Sequence, residues 1–244
     1  ASPGLGRIPP AQSDYRQLTR GVGHGDYRMI VLAPASVQEM ADLTFLAFDL
    51  ADRYRTPVAM MADGMLGQMM EPLVWNVPPG NGVDKGWAVT GARGGKRHLV
   101  LNAPYTDAEL IALNRVLGEK ARSIAATEQR WECVDVEDAE MLVVAYGTAA
   151  RIAMEAVEEA RQAGIPVGLL RPITLWPFPV RAFAPLAGKL RGVLTVEMND
   201  AQMADDVELA VRCAAPVRSY GQGGGWIPSA AGVREEIERT WQKL

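Results

Sequence analysis

The sequence predicts an α/β protein built on open, mainly parallel sheets. Three observations carry this: short apolar runs alternate with amphipathic stretches, those stretches open on capping residues, and the runs end in Pro or Gly. "RMIVLAP" (28–34) is a nearly uninterrupted apolar run ended by proline, as suits a strand buried on both faces. Ser36 and Glu39 then stand in capping-box spacing at the head of "SVQEMADLTFLAFDLADRY", whose apolar residues recur every three or four positions. "TPVAMMAD" (56–63) is the next strand, so the three segments predict a β-α-β unit with parallel strands and a right-handed crossover. Ahead of it the chain reads as loop with one short helical segment around Ser13 to Leu18. Residues 77–104 carry PPGNG and TGARGG and predict irregular structure. Thr106 and Glu109 form a second capping box opening "TDAELIALNRVLGEKARSIAATEQRW", a long polar-faced helix suited to bridging two domains.

The alternation is cleaner in the second half. Strand "MLVVAYG", helix "TAARIAMEAVEEARQAG" stopped by Gly164, strand "IPVGLLRP", a helix over 180–189, strand "GVLTVEM", helix "AQMADDVELAVRC" and strand "APVRSYG" follow one another, closed by the helix "SAAGVREEIERTWQKL". This predicts an open parallel sheet covered on both faces. Two domains are expected, 1–130 and 131–244, with the boundary near Glu132 to Asp138.

Composition narrows the function classes. The chain has 244 residues, 48% hydrophobic and 22% charged, with a net charge of −4. That balance suits a soluble globular protein and leaves no basic footprint for nucleic acid, although Arg93, Lys96 and Arg97 cluster locally. Cys133 and Cys213 match no CxxC spacing and read as core thiols in a reducing cytoplasm. No apolar run approaches the roughly 18 residues of a membrane helix, and the start lacks signal-peptide organisation. A cytoplasmic protein with neither nucleic-acid nor membrane partners is expected.

Ligands of open parallel sheets gather at the carboxyl ends of the strands. In the second half those turns hold Gly147 and Thr148, Arg171, and Glu197 with Asn199, which together can surround a polar crevice. The alternative is structural: Thr148 caps its helix, Arg171 pairs with Glu197, and the crevice docks a neighbouring subunit. "YGTAAR" has one glycine where a dinucleotide fingerprint needs three, which disfavours NAD. "GVGHGDY" sets His24, Gly25 and Asp26 in a turn before a buried strand. His24 reads either as a catalytic or cofactor-contacting group or as part of a hydrogen-bonded turn at a subunit interface. "ADGMLGQMMEP" invites a metal reading through Asp63 and Glu71. A thiamin-diphosphate motif needs a GDG start, broken by Ala62, and an Asn ligand roughly a helix later, whereas Asn76 arrives too soon; no metal ligand is assigned. Met60, Met61, Met65, Met69 and Met70 read as core and interface filler.

"SPGLGRIPPAQSDY", "GVGHGDYRMIVLAPASVQEM", "FDLADRYRTPV", "DGMLGQMMEP", "VAYGTAARIA", "LLRPITLWPFP" and "VEMNDAQMADDV" occur in this order. Together they resemble the alpha subunit of 2-oxoacid:ferredoxin oxidoreductases, nearest the 2-ketoisovalerate type, over essentially the whole chain. The resemblance implies part of a thiamin-diphosphate-type pyrimidine domain followed by a transketolase C-terminal-like domain. It also implies thiamin diphosphate with Mg²⁺ held mainly on a partner beta subunit, an iron–sulfur cluster on another subunit passing electrons to ferredoxin, and coenzyme A as co-substrate. Ser2, Pro3 and Gly4 would continue the substrate loop, and the turn of His24, Gly25 and Asp26 would lie near the cofactor or the subunit seam. Full-length members begin with a Tyr-Pro-Ile-Thr-Pro loop, carry an activating glutamate, and place a substrate-carboxylate arginine immediately before the SPG loop. None of these is in this sequence, so a missing front half of the alpha subunit is expected as a further partner. Two other readings stay open: a non-catalytic docking module of such a complex, and the beta component of a lipoyl-linked 2-oxoacid dehydrogenase.

Overall fold

The computed structural model describes residues 9–21, 23, 25–75, 83–89, 91, 95, 98, 105–186 and 188–244. Most of the predicted irregular stretch 77–104, together with Ser2, Pro3, Gly4 and His24, lies outside the described residues. Two sheets organise the fold. In the first, β1 (Ile30–Leu32) runs parallel to β2 (Val58–Met60), and α2 (Val37–Tyr54) connects them, the predicted β-α-β unit. Before it stands one short helix, α1 (Tyr15–Arg20). Ser36 Oγ accepts the Glu39 backbone N–H at the head of α2, while the Glu39 carboxylate accepts from Ala35 N–H, one residue earlier than a symmetrical box would have it. The bridging helix α3 (Asp107–Thr127) opens on the complete Thr106–Glu109 capping box.

The second sheet contains β3 (Trp131–Val134), β4 (Met141–Ala145), β5 (Val167–Pro172), β7 (Gly192–Glu197) and β8 (Val217–Gly221), in the order β3-β5-β4-β7-β8. All its pairings are parallel except β3 with β5. Every residue of β4 is fully buried, because helices cover both faces. Met141, Val143 and Ala145 pack under α4 (Gly147–Gln162) and α7 (Ala230–Trp241), where Ala149, Ala153, Ala156 and Ala160 let the helix approach the sheet closely. Leu142 and Val144 join Phe183 of α5 (Val180–Phe183) and Val207 of α6 (Ala204–Val211) on the other face. Burying one such side chain contributes about 1.5–3 kcal/mol. That second core also contains Tyr15, Val31, Ala33 and Met61, so the two halves of the chain share it.

Two strands escaped the sequence reading. The antiparallel β3 carries Glu132 and Cys133, both exposed, so it shows no buried apolar run. The three-residue β6 (Thr174–Trp176) leaves the second half altogether and pairs antiparallel with β1, completing the first sheet as β2-β1-β6. The helix expected over 180–189 stops after Phe183, since Pro185 has no N–H to extend it. The cysteines are corrected too: both are exposed, Cys133 on the edge strand outside the helical cover and Cys213 in the turn after α6, where Arg212 and Cys213 both have positive φ. Of the methionines, Met61 is core, whereas Met65 and Met70 are exposed.

Candidate functional site

Four carboxyl strand ends meet where the two halves join: those of β1 and β2 from one half, those of β4 and β7 from the other. The seam is filled by Gln12, a residue that the sequence left in a loop. Its side-chain Nε2 donates to Tyr146 O (2.9 Å), its Oε1 accepts from Met198 N–H (2.9 Å), and its own carbonyl accepts from Asn199 Nδ2 (2.9 Å). Gln12 is 3% exposed. A glutamine so deep is tolerated because every polar group it carries inward finds a partner.

Gly147 explains why the strand-to-helix turn accepts this plug. Its φ is +57°, and a Cβ there would stand 3.2 Å from Gln12 Nε2 and 3.7 Å from both Asp63 Oδ2 and Pro34 O. Asp63 Oδ1 accepts from Met65 and Leu66 N–H (2.9 and 3.1 Å), fixing the turn after β2. Its Oδ2 is buried without a partner, and so is Thr148 Oγ1. Thr148 therefore does not cap α4; Tyr146 is the N-cap, and no side chain bonds the helix start.

Arg171 is also corrected. Glu197 is not its partner: Nη1 and Nη2 of Arg171 donate to the two Glu39 carboxylate oxygens (2.9 and 2.7 Å), and Nε donates to Glu132 Oε2 (2.8 Å). Burial alone would lower this guanidinium's pKa, but the bonds and charges of Glu39 and then Glu132 hold it raised. Arg151 of α4 makes a second tie across the halves, donating to Ala35 O (3.1 Å) and to Glu71 Oε1 (2.7 Å). Glu71 Oε2 also accepts from Val37 N–H, so Glu71 and Asp63 serve separate loops.

Glu197 turns the other way, accepting from Met203 N–H (2.7 Å) and Ala204 N–H (3.1 Å) at the start of α6. It thereby does the work of a cap, which is why α6 begins later than its sequence pattern predicts. Burial pushes the Glu197 carboxyl up to about 7, against the hydrogen bonds from Met203, Asn199, Ala204 and Thr195 that favour its charged form. Because the native state holds this proton where the unfolded chain, with a value near 4.5, has released it, the native state gains stability as pH falls through that interval. Urea unfolding is thus expected to give a higher free energy at pH 5 than at pH 8 from this group. The difference should shrink in Glu197→Gln.

The structure therefore brings Gly147, Glu197 and Asn199 to one seam with Gln12, but ties Arg171 to α2 and β3 instead. Gly25 and Asp26 stand elsewhere, before the amino end of β1. Among the described residues no group of three or more His, Cys, Asp or Glu could hold a metal ion, and no helix is long and apolar enough to cross a membrane.

Comparison with known proteins fits this architecture. Residues 1–81 match the model "Pyruvate flavodoxin/ferredoxin oxidoreductase, thiamine diP-bdg", and residues 139–233 match "Pyruvate:ferredoxin oxidoreductase core domain II". A ketoisovalerate oxidoreductase subunit VorB from Methanothermobacter thermautotrophicus is 46% identical over 98% of this chain and 68% of its own length. The corresponding subunit of Methanothermobacter marburgensis is 49% identical over 87% of the chain and 61% of its own length. The chain thus spans about two-thirds of the length of these relatives. A solved 2-oxoglutarate:ferredoxin oxidoreductase from Magnetococcus marinus, with 2-oxoglutarate, coenzyme A and succinyl-CoA bound, shares the fold with a TM-score of 0.78 at 21% identity, over 99% of this chain and 47% of its own. On these matches, the chain belongs to the 2-oxoacid:ferredoxin oxidoreductase family, beside the ketoisovalerate oxidoreductase subunits.

Proposed function

We propose that this chain works as a component of a 2-oxoacid:ferredoxin oxidoreductase that decarboxylates a branched-chain 2-oxoacid oxidatively to its acyl-CoA and reduces ferredoxin. The observation that carries this reading is identity of 46–49% to two ketoisovalerate oxidoreductase subunits across most or all of the chain. Thiamin diphosphate supplies the carbanion chemistry of such enzymes when bound. The described residues do not fit its diphosphate and Mg²⁺: the seam carboxylates Asp63, Glu71 and Glu197 are each engaged by different backbone N–H groups, and no acidic cluster converges. In this reading the diphosphate and metal belong to a beta subunit, and the iron–sulfur cluster to another. The substrate-carboxylate arginine belongs to a front segment of the alpha subunit. This chain contributes position. Asn199 and the Met198 N–H hold Gln12, downstream of Ser2, Pro3 and Gly4, at the carboxyl strand ends. The orphaned Asp63 Oδ2 and Thr148 Oγ1 are polar groups left for whatever completes the seam.

A second reading has its own support. Most of the polar groups at the seam are spent on structural bonds, as a docking module that only organises the complex would have them. Reconstitution separates the two. With beta, iron–sulfur and front-segment chains added, this chain is expected to confer ketoisovalerate- and coenzyme-A-dependent reduction of a viologen dye, and Ser2→Ala or His24→Ala should lower it at least tenfold. Unchanged activity in both variants favours docking alone, and no stimulation by the chain overturns the enzyme reading.

A further inference from the structure

At the amino ends of β1 and β2, opposite the seam, a cleft of about 170 Å³ is lined by Arg28, Arg55 and Lys120, with Ile124 and Leu117 of α3 as its apolar part. Arg55 ends α2 in the left-handed conformation, φ +47°, its backbone N–H bonded to Ala51 O. Its guanidinium lies over the Trp87 ring, 4.9 Å from the centroid. Lys120 Nζ donates to the Arg55 carbonyl (3.3 Å), and Arg28 donates to the Tyr27 carbonyl (2.8 Å). The three cations come from three separate elements and are oriented by carbonyls and an aromatic face.

Their shared peculiarity is charge. Acids outnumber bases in this chain by 29 to 25, and many arginines elsewhere, such as Arg20, Arg151, Arg161 and Arg171, have carboxylate partners, while Arg181, which bonds a carbonyl, lines no cleft with these three. Among the described residues, Arg28, Arg55 and Lys120 have none, and the one acid lining the cleft, Asp26, makes no ion pair either. Burial, and then the charge of Arg55, lower the pKa of Lys120, so cations are gathered here at an electrostatic cost that an anion would relieve. The volume selects the kind of anion. It falls below the roughly 300 Å³ at which pockets for drug-sized ligands begin, yet suits a single tetrahedral oxyanion.

We infer that the cleft bounded by Arg28, Arg55 and Lys120 binds a phosphate group, either as free phosphate or as the phosphate end of a small phosphoester whose remainder projects outward. This goes beyond the proposed oxidoreductase role, and its test needs no turnover. Calorimetric titration of the full chain with inorganic phosphate and with glycerol 3-phosphate, at ionic strength held constant with chloride, is expected to show saturable binding. Lys120→Met should weaken it about tenfold, the loss of one charge-assisted contact, while Lys120→Arg should stay within about threefold. Arg55→Gly provides a second check, because glycine accepts φ +47° without strain. It should weaken phosphate binding about tenfold while leaving the thermal midpoint unchanged or raised. Tighter binding of the ester than of phosphate identifies a phosphoester site, and equal binding identifies free phosphate. Absence of saturable binding by either probe, or affinity untouched by both Lys120→Met and Arg55→Gly, overturns the inference.

Discussion

Gln12→Ala is expected to lower the unfolding free energy by about 2–5 kcal/mol, measured by urea denaturation at neutral pH. The Gln12 amide donates to Tyr146 O and accepts from Met198 N–H, both in the interior. Alanine keeps the backbone bonds from Gln12 N–H to Met198 O and from Ala150 N–H to Tyr146 O, but leaves Met198 N–H facing an empty space. That orphaned buried donor costs about 1–3 kcal/mol, and the cavity left by the lost side chain adds to the total. Gln12→Glu sharpens the test. A carboxylate can still accept from Met198 but sets a second oxygen against the Tyr146 carbonyl, so it should recover little of the loss. A deficit under 1 kcal/mol for Gln12→Ala would mean that Gln12 does not hold the seam.

The second large effect belongs to Arg171→Met, expected to destabilise by about 2–4 kcal/mol. Removing the cation leaves Glu39 and Glu132 converging without it, and unties α2 from β3. The Arg171 side chain is only 7% exposed, but its partners are 27% and 46% exposed. Water can therefore resolvate the abandoned carboxylates, which keeps the loss nearer the lower end of the 3–5 kcal/mol typical of fully buried pairs. Arg171→Lys should recover less than half, because an ammonium cannot present the two-pronged fork that Glu39 receives. A double-mutant cycle with Glu39→Gln measures the coupling directly, and a value under about 0.5 kcal/mol would contradict the geometry.

Much of the fold was legible because its signals are local. Ser36 and Thr106 cap the helices that their spacing announces, and the apolar runs of β1, β4, β5 and β7 are strands buried on both faces. What stayed hidden depends on distant pairing. β3 is short and half-exposed, and without it Glu132 has no reason to lie opposite Arg171, its partner in the ladder. The alternative pairing of Arg171 with Glu197 fails because β4 lies between their strands and that carboxylate is already occupied by the start of α6. Gln12 sits in a polar stretch where exposure is the ordinary expectation, and only contact with Tyr146, Met198 and Asn199 from the other half buries it. The cations of the amino-end cleft were likewise invisible as a group, since Arg28, Arg55 and Lys120 share no motif.

Strand β6 gives the chain an order of events during synthesis. Val31 of β1 pairs with Trp176, so the first sheet lacks an edge until residues far downstream have left the ribosome. At 5–20 residues per second that interval lasts roughly 7–30 s. Throughout it β1 exposes unpaired backbone groups on one side, a template on which another nascent chain can pair. The amino-terminal half therefore finishes folding only after most of the carboxyl-terminal sheet is made, and a messenger truncated before β6 should yield aggregating fragments rather than a free first domain.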